Sequence, residues 1–359
     1  MDHFSLVTDL MQNEAVQEIA AKNSAIVTEI QNEALFKCNA FKEPKVNAKI
    51  KAARSFKKLW LGPILQNATS DAYEIHRFKP RFWEFNEESI DSLAGKLEGA
   101  IVILINNDFS GASMQNLLAF KELCANCPNT LFILWDHDNH HWLQLSLMLA
   151  LVFDLVVPAH PENMSVLSRY NSNIQAPVFT GSIQWPQSLL KQNLDRIMDA
   201  SRSPEPLGMH AFYPSFVLRN QIVQTLSLHP HIGFTDGSYR NNTPAENFAH
   251  WAGHKTHFCA LVNNDIPYRV FDAMITGGVA CVPRSLAVWR GLHPEPDRLV
   301  FYGCSDVFDG TELFKRAAQR FDELNSVLSK AGAAKLVSTL HVDARIQEIL
   351  SRALSHSAS

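Results

Sequence analysis

Short apolar runs alternate with helix-forming segments through most of this chain. Continuous apolar runs, typical of strands covered on both faces of a sheet, occur at 99–106, 130–136 and 153–159, and 175–181 is a fourth candidate. Helical segments separate them, one of which runs through 112–127. This strand–helix–strand alternation predicts parallel βαβ units in an open, doubly wound sheet.

The alternation restarts in the second half of the chain. Its predicted elements are helices at 212–229, 267–276, 309–330 and 341–353 and strands at 231–237, 256–264, 279–283 and 299–303. The stretch 198–208 carries two Pro, two Ser and a Gly and is the best linker candidate. We therefore expect an N-terminal α/β domain (1–200) and a second one (208–340). The closing helix and tail (341–359) are expected to pack back on the first domain.

Composition fits a globular protein of two domains. The chain has 359 residues, 46% of them hydrophobic and 19% charged, which is more than one core usually organises. A net charge of −4 gives no reason to expect nucleic acid as a partner. Six scattered Cys residues are typical of reduced thiols, and the N-terminus lacks the basic region of a signal peptide. A cytoplasmic location is the expectation.

Two features stand out before the first predicted strand. Apolar positions within 9–36 recur at helical spacing, which predicts a helical N-terminal extension. The run 42–58 then holds seven basic residues and one acid. It is either a solvated face or a surface for anionic lipid headgroups at the inner face of a membrane, or for an anionic acceptor.

The segment NNDIPYRVFDAMITGGVACVP at 263–283 has two interpretations: an ordinary helix-to-strand connection, or the floor of a phosphate-binding site. Pro267 suits the first turn of a helix, Asn264 or Asp265 can cap it, and Gly277 can end it. The helix begins directly after a strand, where its N–H groups and dipole can hold a phosphate. Gly278 is not needed for capping and indicates close approach of a chain segment or a ligand.

A helical wheel divides this helix into two arcs. One arc is apolar and is predicted to be buried; the other carries Arg269, Asp272 and Thr276. In an ordinary connection, Arg269 and Asp272 would form a surface ion pair of little energetic value. The pattern alone leaves both interpretations open.

The run IPYRVFDAMITGG resembles the donor-binding segment of GT-B glycosyltransferases, close to the CgeB-like and group 1 families. The similarity continues into RLVFYGCSDVFDGTELFKRAA and HVDARIQEIL, and so covers roughly 208–353. It implies the GT-B fold, two Rossmann-like domains that face each other across a cleft. It also implies a donor site for a nucleotide-activated sugar, without metal or cofactor, formed by Lys255, Asn264, Tyr268, Arg269, Asp272, Gly277 and Gly278.

Within this resemblance, the acidic position of the helix has a specific implied role. Retaining members of the fold carry two glutamates eight positions apart, and the second holds the donor ribose. Asp272 occupies that second place here, whereas Asn264 stands at the first. The identity of the sugar and the stereochemical outcome are therefore not fixed by the motif.

The first half offers two candidate clusters at strand ends. The loop at 135–141 contains five possible metal ligands: Asp136, His137, Asp138, His140 and His141. Neighbouring loop positions rarely converge on one ion, so a zinc site is not the preferred interpretation. The preferred one is a loop at the wall of the cleft that contacts the acceptor or the sugar. His160 and Glu162 follow the next strand and are candidate acid/base groups. For Glu162, capping of the next helix is the competing interpretation.

In the second half, Asp236 ends a strand as part of an Asp-Gly turn. It is either a turn residue or a catalytic carboxylate aimed at the anomeric carbon. Lys255 and Arg269 are candidates to neutralise the donor phosphates, because the departing nucleotide gains negative charge.

These features together predict a GT-B glycosyltransferase, with a UDP- or GDP-sugar or a CMP-ulosonic acid such as Kdo as donor. The resemblance implies a bacterial surface glycan or lipid-linked glycan as acceptor. Two alternatives remain open: a nucleotide-sugar epimerase of the same fold, and a non-catalytic relative that binds a glycan or a partner.

Overall fold

The computed structural model describes residues 44–66, 75, 77–82, 90–110, 112, 114–137, 139–236, 242–262 and 265–355. The predicted helical extension at 9–36 lies outside these residues. The described chain divides into two compact units, one formed by 44–186 with 342–355 and the other by 187–341.

The first unit is built on a five-stranded sheet in which every pair of neighbours is parallel. The strands are β1 (Lys58–Leu61), β2 (Pro80–Phe82), β3 (Ala100–Ile105), β4 (Leu131–Asp136) and β5 (Leu155–Pro158), in the order β2–β1–β3–β4–β5. The helices are α1 (Pro44–Ala53), α2 (Ile90–Leu97), α3 (Met114–Asn126), α4 (Asn139–Ala150) and α5 (Met164–Leu167).

Both faces of this sheet are covered, which explains the continuous apolar runs. Along β3, Ile101, Ile103 and Ile105 belong to one core cluster, whereas Val102 and Leu104 belong to another. Successive side chains of a strand point to opposite faces, so a strand between two layers must be apolar at every position.

The strand prediction for 175–181 is wrong. Its backbone follows β5, since Gln175 N donates to Val156 O at 2.8 Å and Val178 N donates to Pro158 O at 3.0 Å, but no ladder forms. Pro177 lacks an N–H group and interrupts the pairing. The missed strands β1 and β2 are only four and three residues long.

The second unit repeats the layout of the first. Its elements are α6 (Gln187–Gln192), α7 (Leu194–Ile197), β6 (Gly208–His210), α8 (Val217–Thr225), β7 (Ile232–Phe234), α9 (Pro244–Trp251), β8 (Thr256–Phe258), α10 (Tyr268–Ile275), β9 (Val279–Pro283), β10 (Leu299–Tyr302), α11 (Thr311–Ser326) and α12 (Lys330–Leu340). Two parallel ladders, β6–β7 and β8–β9–β10, are joined by a parallel bridge between Leu207 and His257. The strand order is therefore β7–β6–β8–β9–β10, equivalent to that of the first unit. The predicted class, α/β with parallel sheets, is confirmed in both units.

The segment 198–208 is not a link between the two units. The boundary falls between Pro186 and Gln187, and 198–208 packs within the second unit. Arg202 is buried there and donates to the carbonyls of Arg196 and Ile197, both at 2.7 Å. The Pro and Ser residues mark an irregular but packed segment.

The last helix, α13 (Val342–Ser355), belongs to the first unit. Its apolar face joins the core cluster that also contains α1 and alternate residues of β1, β3 and β4. Arg352 donates to the carbonyl of Pro177 at 3.0 Å. The chain thus passes through the second unit and returns to complete the first. No helix in the described ranges is long and apolar enough to cross a membrane.

Candidate active site

The order β7–β6–β8–β9–β10 reverses direction between β6 and β8, and ligands of open α/β sheets bind outside the carboxyl ends of such strands. His210, the last residue of β6, is fully buried at this point. Its Nδ1 donates to Gly208 O at 2.6 Å and its Nε2 accepts from Ala260 N at 3.0 Å. Burial, together with the nearby arginines, holds the pKa of His210 well below its usual range. A neutral imidazole therefore ties the loops after β6 and β8 together.

Arg219, from α8, reinforces the same junction. Its Nε donates to Ala260 O at 3.1 Å and its guanidinium also donates to Ala211 O at 2.8 Å. The guanidinium carbon lies 5.2 Å from the centre of the Tyr213 ring. Burial lowers the pKa of Arg219, and the positive charge of Arg269 adds to that lowering. Arg219 therefore places a positive charge beside the loops that follow β6 and β8.

Helix α10 brings Arg269 to this region. Its N-cap residue is Pro267, one position before the first helical turn in which the sequence placed it. The side chain of Pro267 cannot accept a hydrogen bond, so it does not cap the helix in the usual way. Tyr268 is the first helical residue and is half-buried. The Arg269 guanidinium lies 5.4 Å from the centre of the Trp251 ring, which stacks on His257 at 5.1 Å. Asn264 lies outside the described residues.

The arc of α10 that was predicted to face outward is not exposed to solvent as a whole. Asp272 is 5% exposed and Thr276 is completely buried, because the helix packs against α12 and β9. The pKa of the Cys259 thiol is raised to about 12 by burial, and the charge of Asp272 contributes to the shift. Asp272 is therefore a buried carboxylate and not a surface one.

The two glycines after α10 lie at the opposite edge of the sheet, before β9. Gly277 has a φ of 88° and would place a Cβ 2.4 Å from Ile197 O. A Cβ on Gly278 would lie 2.7 Å from the His257 ring. Close approach by chain segments thus accounts for both glycines, and their predicted contact with the donor has no support in this packing.

Lys255 shares that edge, immediately before β8. Its ammonium group forms an ion pair with Asp322 at 2.7 Å and lies 5.7 Å from the centre of the Phe321 ring. Since donor phosphates are expected at the carboxyl ends of the strands, this position does not favour the prediction that Lys255 neutralises them.

Asp236 lies where the sequence predicted, just past the carboxyl end of β7. It is exposed, and the preceding Thr235 N donates to His210 O at 2.9 Å, which ties this loop to β6. The arrangement leaves both interpretations of Asp236 available, the turn residue and the catalytic carboxylate.

In the first unit, two of the predicted strand-end residues, His137 and His160, belong to a network of buried polar groups. Asn106 donates to Ser146 Oγ at 3.0 Å and accepts from His137 N at 3.0 Å. His160 is 5% exposed, and its Nε2 donates to His137 O at 2.7 Å, since a carbonyl can only accept. These hydrogen bonds hold the loops after β3, β4 and β5 together.

Glu162 is half-buried in a short 3₁₀ turn, Pro161–Asn163, directly after His160. The predicted acid/base roles of His160 and Glu162 stay predictions.

Asp136 and His137 are buried at the end of β4, whereas the side chains of Asp138, His140 and His141 lie outside the described residues. Where side chains are described, no group of three or more His, Cys, Asp or Glu residues is placed to hold a metal ion.

Only part of the basic run 42–58 is surface. Lys49 is 6% exposed and forms an ion pair with Asp154 at 2.9 Å. Within the described part of the run, from Lys45 to Lys58, the exposed basic residues are Lys45, Lys51, Arg54 and Lys57.

Sequence reasoning missed Asp108, which follows β3 at the equivalent reversal point of the first sheet. It is half-buried and contacts the loop after β1. An acidic residue directly after an apolar run was the available signal, but its meaning depends on β1, a strand that the pattern did not reveal.

Comparisons with known proteins give few matches. No protein-family model and no curated protein matches the chain. Among solved structures, it is similar to an α-glucosyltransferase in complex with UDP and a 13-mer DNA containing an HMU base. The TM-score is 0.47 at 8% identity, over 83% of this chain and 91% of the other. This likeness is too distant for function to be argued from it.

Proposed function

We propose that the chain is a GT-B glycosyltransferase that binds a nucleotide-activated sugar at the carboxyl edge of the second unit. The observation that carries the proposal is the position of Arg219, whose guanidinium group donates to the loops after β6 and β8 on either side of the reversal point, while the first turn of α10 carries Arg269. Positive charge at this edge of the sheet attracts an anionic ligand such as a diphosphate.

The chemistry of transfer fits this arrangement. When the bond between the sugar and the phosphate breaks, the departing nucleotide gains negative charge. Cations fixed in advance stabilise that charge without reorganisation, and the start of α10 adds the positive end of its dipole. In this proposal no metal is required, and Asp272 holds the donor ribose. Candidate donors are UDP- and GDP-sugars and CMP-ulosonic acids.

Calorimetry with a panel of UDP-, GDP- and CMP-sugars tests the donor site. Arg269→Gln should weaken binding about ten- to a hundredfold, the loss expected for a charge-assisted hydrogen bond. Lys255→Gln is the matched control at the opposite edge and should leave affinity unchanged. Equal affinity in both variants and the wild-type protein, or no binding of any nucleotide, would contradict the proposed site.

Product analysis then separates the reaction classes. Slow hydrolysis of a bound donor supports transfer, interconversion of sugars indicates an epimerase, and binding without turnover indicates a non-catalytic relative. The proposed acceptor is a bacterial surface glycan or a lipid-linked glycan. DNA containing an HMU base, as present in the structure of the α-glucosyltransferase, is included in the acceptor panel for comparison.

Contact with an anionic membrane is a further part of the proposal. The exposed residues Lys45, Lys51, Arg54 and Lys57 supply positive charge on the first unit. Binding to anionic vesicles that weakens with salt would support this contact. Equal partitioning onto neutral and anionic vesicles would remove it.

A further inference from the structure

The segment that follows β6 exposes apolar side chains to solvent. Two of them are aromatic, Phe212 with 57% and Tyr213 with 36% of the side chain exposed, and Val217 and Leu218 at the start of α8 are each 61% exposed. The segment lies at the carboxyl edge of the second sheet, beside the reversal point between β6 and β8. Apolar side chains exposed together on one segment mark a binding surface, whereas single exposed ones do not.

The backbone of this segment is held by hydrogen bonds from α8. The carbonyl of Tyr213 accepts from Phe216 N at 3.0 Å and from the side-chain amide of Asn220 at 2.7 Å. The carbonyl of Ala211 accepts from the guanidinium of Arg219 at 2.8 Å. The position of the exposed rings is therefore set before a ligand binds, which lowers the entropic cost of binding.

The two aromatic rings have different surroundings. The guanidinium carbon of Arg219 lies 5.2 Å from the centre of the Tyr213 ring, so Tyr213 helps to hold the cation. Phe212 packs edge to face on Phe234, the last residue of β7, with 5.2 Å between the ring centres. More than half of its side chain nevertheless remains in solvent. Phe212 is thus a fixed aromatic surface next to the residue that holds Arg219.

A ligand that uses both features carries negative charge and a flat aromatic group in one small molecule. Nucleotides have this combination, and a base stacks on an aromatic side chain whatever its identity, because every base has a π-face. An anionic membrane is a poorer match, since it attracts segments with several Lys or Arg residues. Between residues 210 and 220, all of which are described, Arg219 is the only Lys or Arg.

We propose that Phe212 is a nucleobase-binding residue of the second unit, on which the base of the donor stacks while Arg219 attracts the phosphates. This inference rests on the proposed function. Phe212 then adds affinity without selecting a base, so UDP, GDP and CMP depend on it alike. Tyr213 is a positioning residue that acts through Arg219.

The experiment measures binding of UDP, GDP and CMP by calorimetry, and of pyrophosphate by its displacement of UDP. Phe212→Ala should weaken all three nucleotides about five- to a hundredfold, the scale of one lost stack between a base and an aromatic ring, and should leave pyrophosphate affinity unchanged. Phe212→Tyr keeps a ring and should retain nucleotide affinity. Phe308→Ala is the matched control and should change neither affinity. Phe308 is 44% exposed and follows β10, three strands away from β6.

The outcomes separate this inference from the proposed function. Unchanged nucleotide affinity of Phe212→Ala, with UDP bound by the wild-type protein, would overturn the stacking role alone. An equal loss of pyrophosphate affinity in Phe212→Ala, or an equal loss of nucleotide affinity in Phe308→Ala, would overturn it as well, because neither effect depends on the base. Absence of nucleotide binding by the wild-type protein, or failure of pyrophosphate to displace UDP from it, would contradict the proposed donor site and this inference together.

Discussion

The imidazole of His210 accepts a hydrogen bond from the backbone of Ala260 at 3.0 Å, so the end of β6 holds the loop that follows β8. This contact requires an unprotonated Nε2, since a protonated ring could only donate there. Burial keeps the pKa of His210 well below its usual range, in agreement with that role. The candidate donor site is therefore organised by a histidine that stays neutral in the folded protein.

The buried histidines predict that the protein loses stability in mild acid. Burial also holds the pKa of His257 well below its usual value, 6.5, and among the described residues neither ring nitrogen has a hydrogen-bond partner. Below pH 6.5 the unfolded chain therefore takes up protons that the folded protein excludes, and the free energy of unfolding falls as pH decreases. Each such histidine contributes a slope of up to about 1.4 kcal/mol per pH unit.

His257→Leu tests this prediction, because leucine has a similar volume and does not titrate. The variant should differ from wild type by less than about 1.5 kcal/mol at pH 7.5. It should lose part of the slope between pH 6.5 and pH 5, as measured by urea denaturation. An unchanged slope would show that His257 is protonated in the folded protein.

Lys49 should be far more important for stability than its neighbours in the basic run. Its ammonium group is buried against Asp154, whose carboxylate also accepts from Phe132 N at 3.0 Å. Lys49→Met would leave that half-buried carboxylate without its cation and should cost about 3 kcal/mol, at the lower end for a broken buried pair. Lys51 is exposed, so Lys51→Met should change stability by less than about 0.5 kcal/mol. Similar midpoints of denaturation for the two variants would contradict the buried pair.

The basic run 42–58 shows which features the sequence predicts and which it does not. Charge pattern located the exposed lysines but could not single out Lys49, because its burial depends on Asp154, far away in the chain. Buried strands such as β3 and β4 were predictable, since helices on both faces demand apolar residues throughout. The short strands β1 and β6 were not, and both reversal points depend on them. Asp108 and Arg219 were missed for that reason.

The two glycines after α10 should be needed for stability, not for donor binding. Gly277→Ala would impose strain at a φ of 88° and a collision with Ile197 O, and Gly278→Ala would overlap the His257 ring. Each should cost about 1–3 kcal/mol in the free energy of unfolding.

Gly95→Ala is the matched control for both variants. Gly95 lies exposed within α2, where an added Cβ meets no atom of the described chain within 4 Å. The substitution should stabilise by about 0.5–1 kcal/mol, because alanine favours the helix. If Gly277→Ala or Gly278→Ala kept full stability but lost nucleotide affinity, the glycines would contact the donor after all.

Asp236→Asn decides between the two interpretations of the residue that follows β7. Asp236 is exposed at the carboxyl edge of the second sheet, and its loop is tied to His210 through Thr235 N. If its carboxylate acts at the anomeric carbon, Asn should preserve shape and donor affinity while turnover falls by at least about a hundredfold. If it is a turn residue, Asn is the mildest replacement, because it tolerates the same backbone geometry and caps locally.

The measurement is turnover at a saturating donor concentration, beside calorimetry of donor binding by the same protein. Since neither interpretation predicts a loss of stability, an unfolding midpoint close to that of wild type shows that any effect is chemical. Near-normal turnover would remove the catalytic role of Asp236. The same assay should then examine His160 and Glu162, the candidate acid/base groups at a strand end of the first unit.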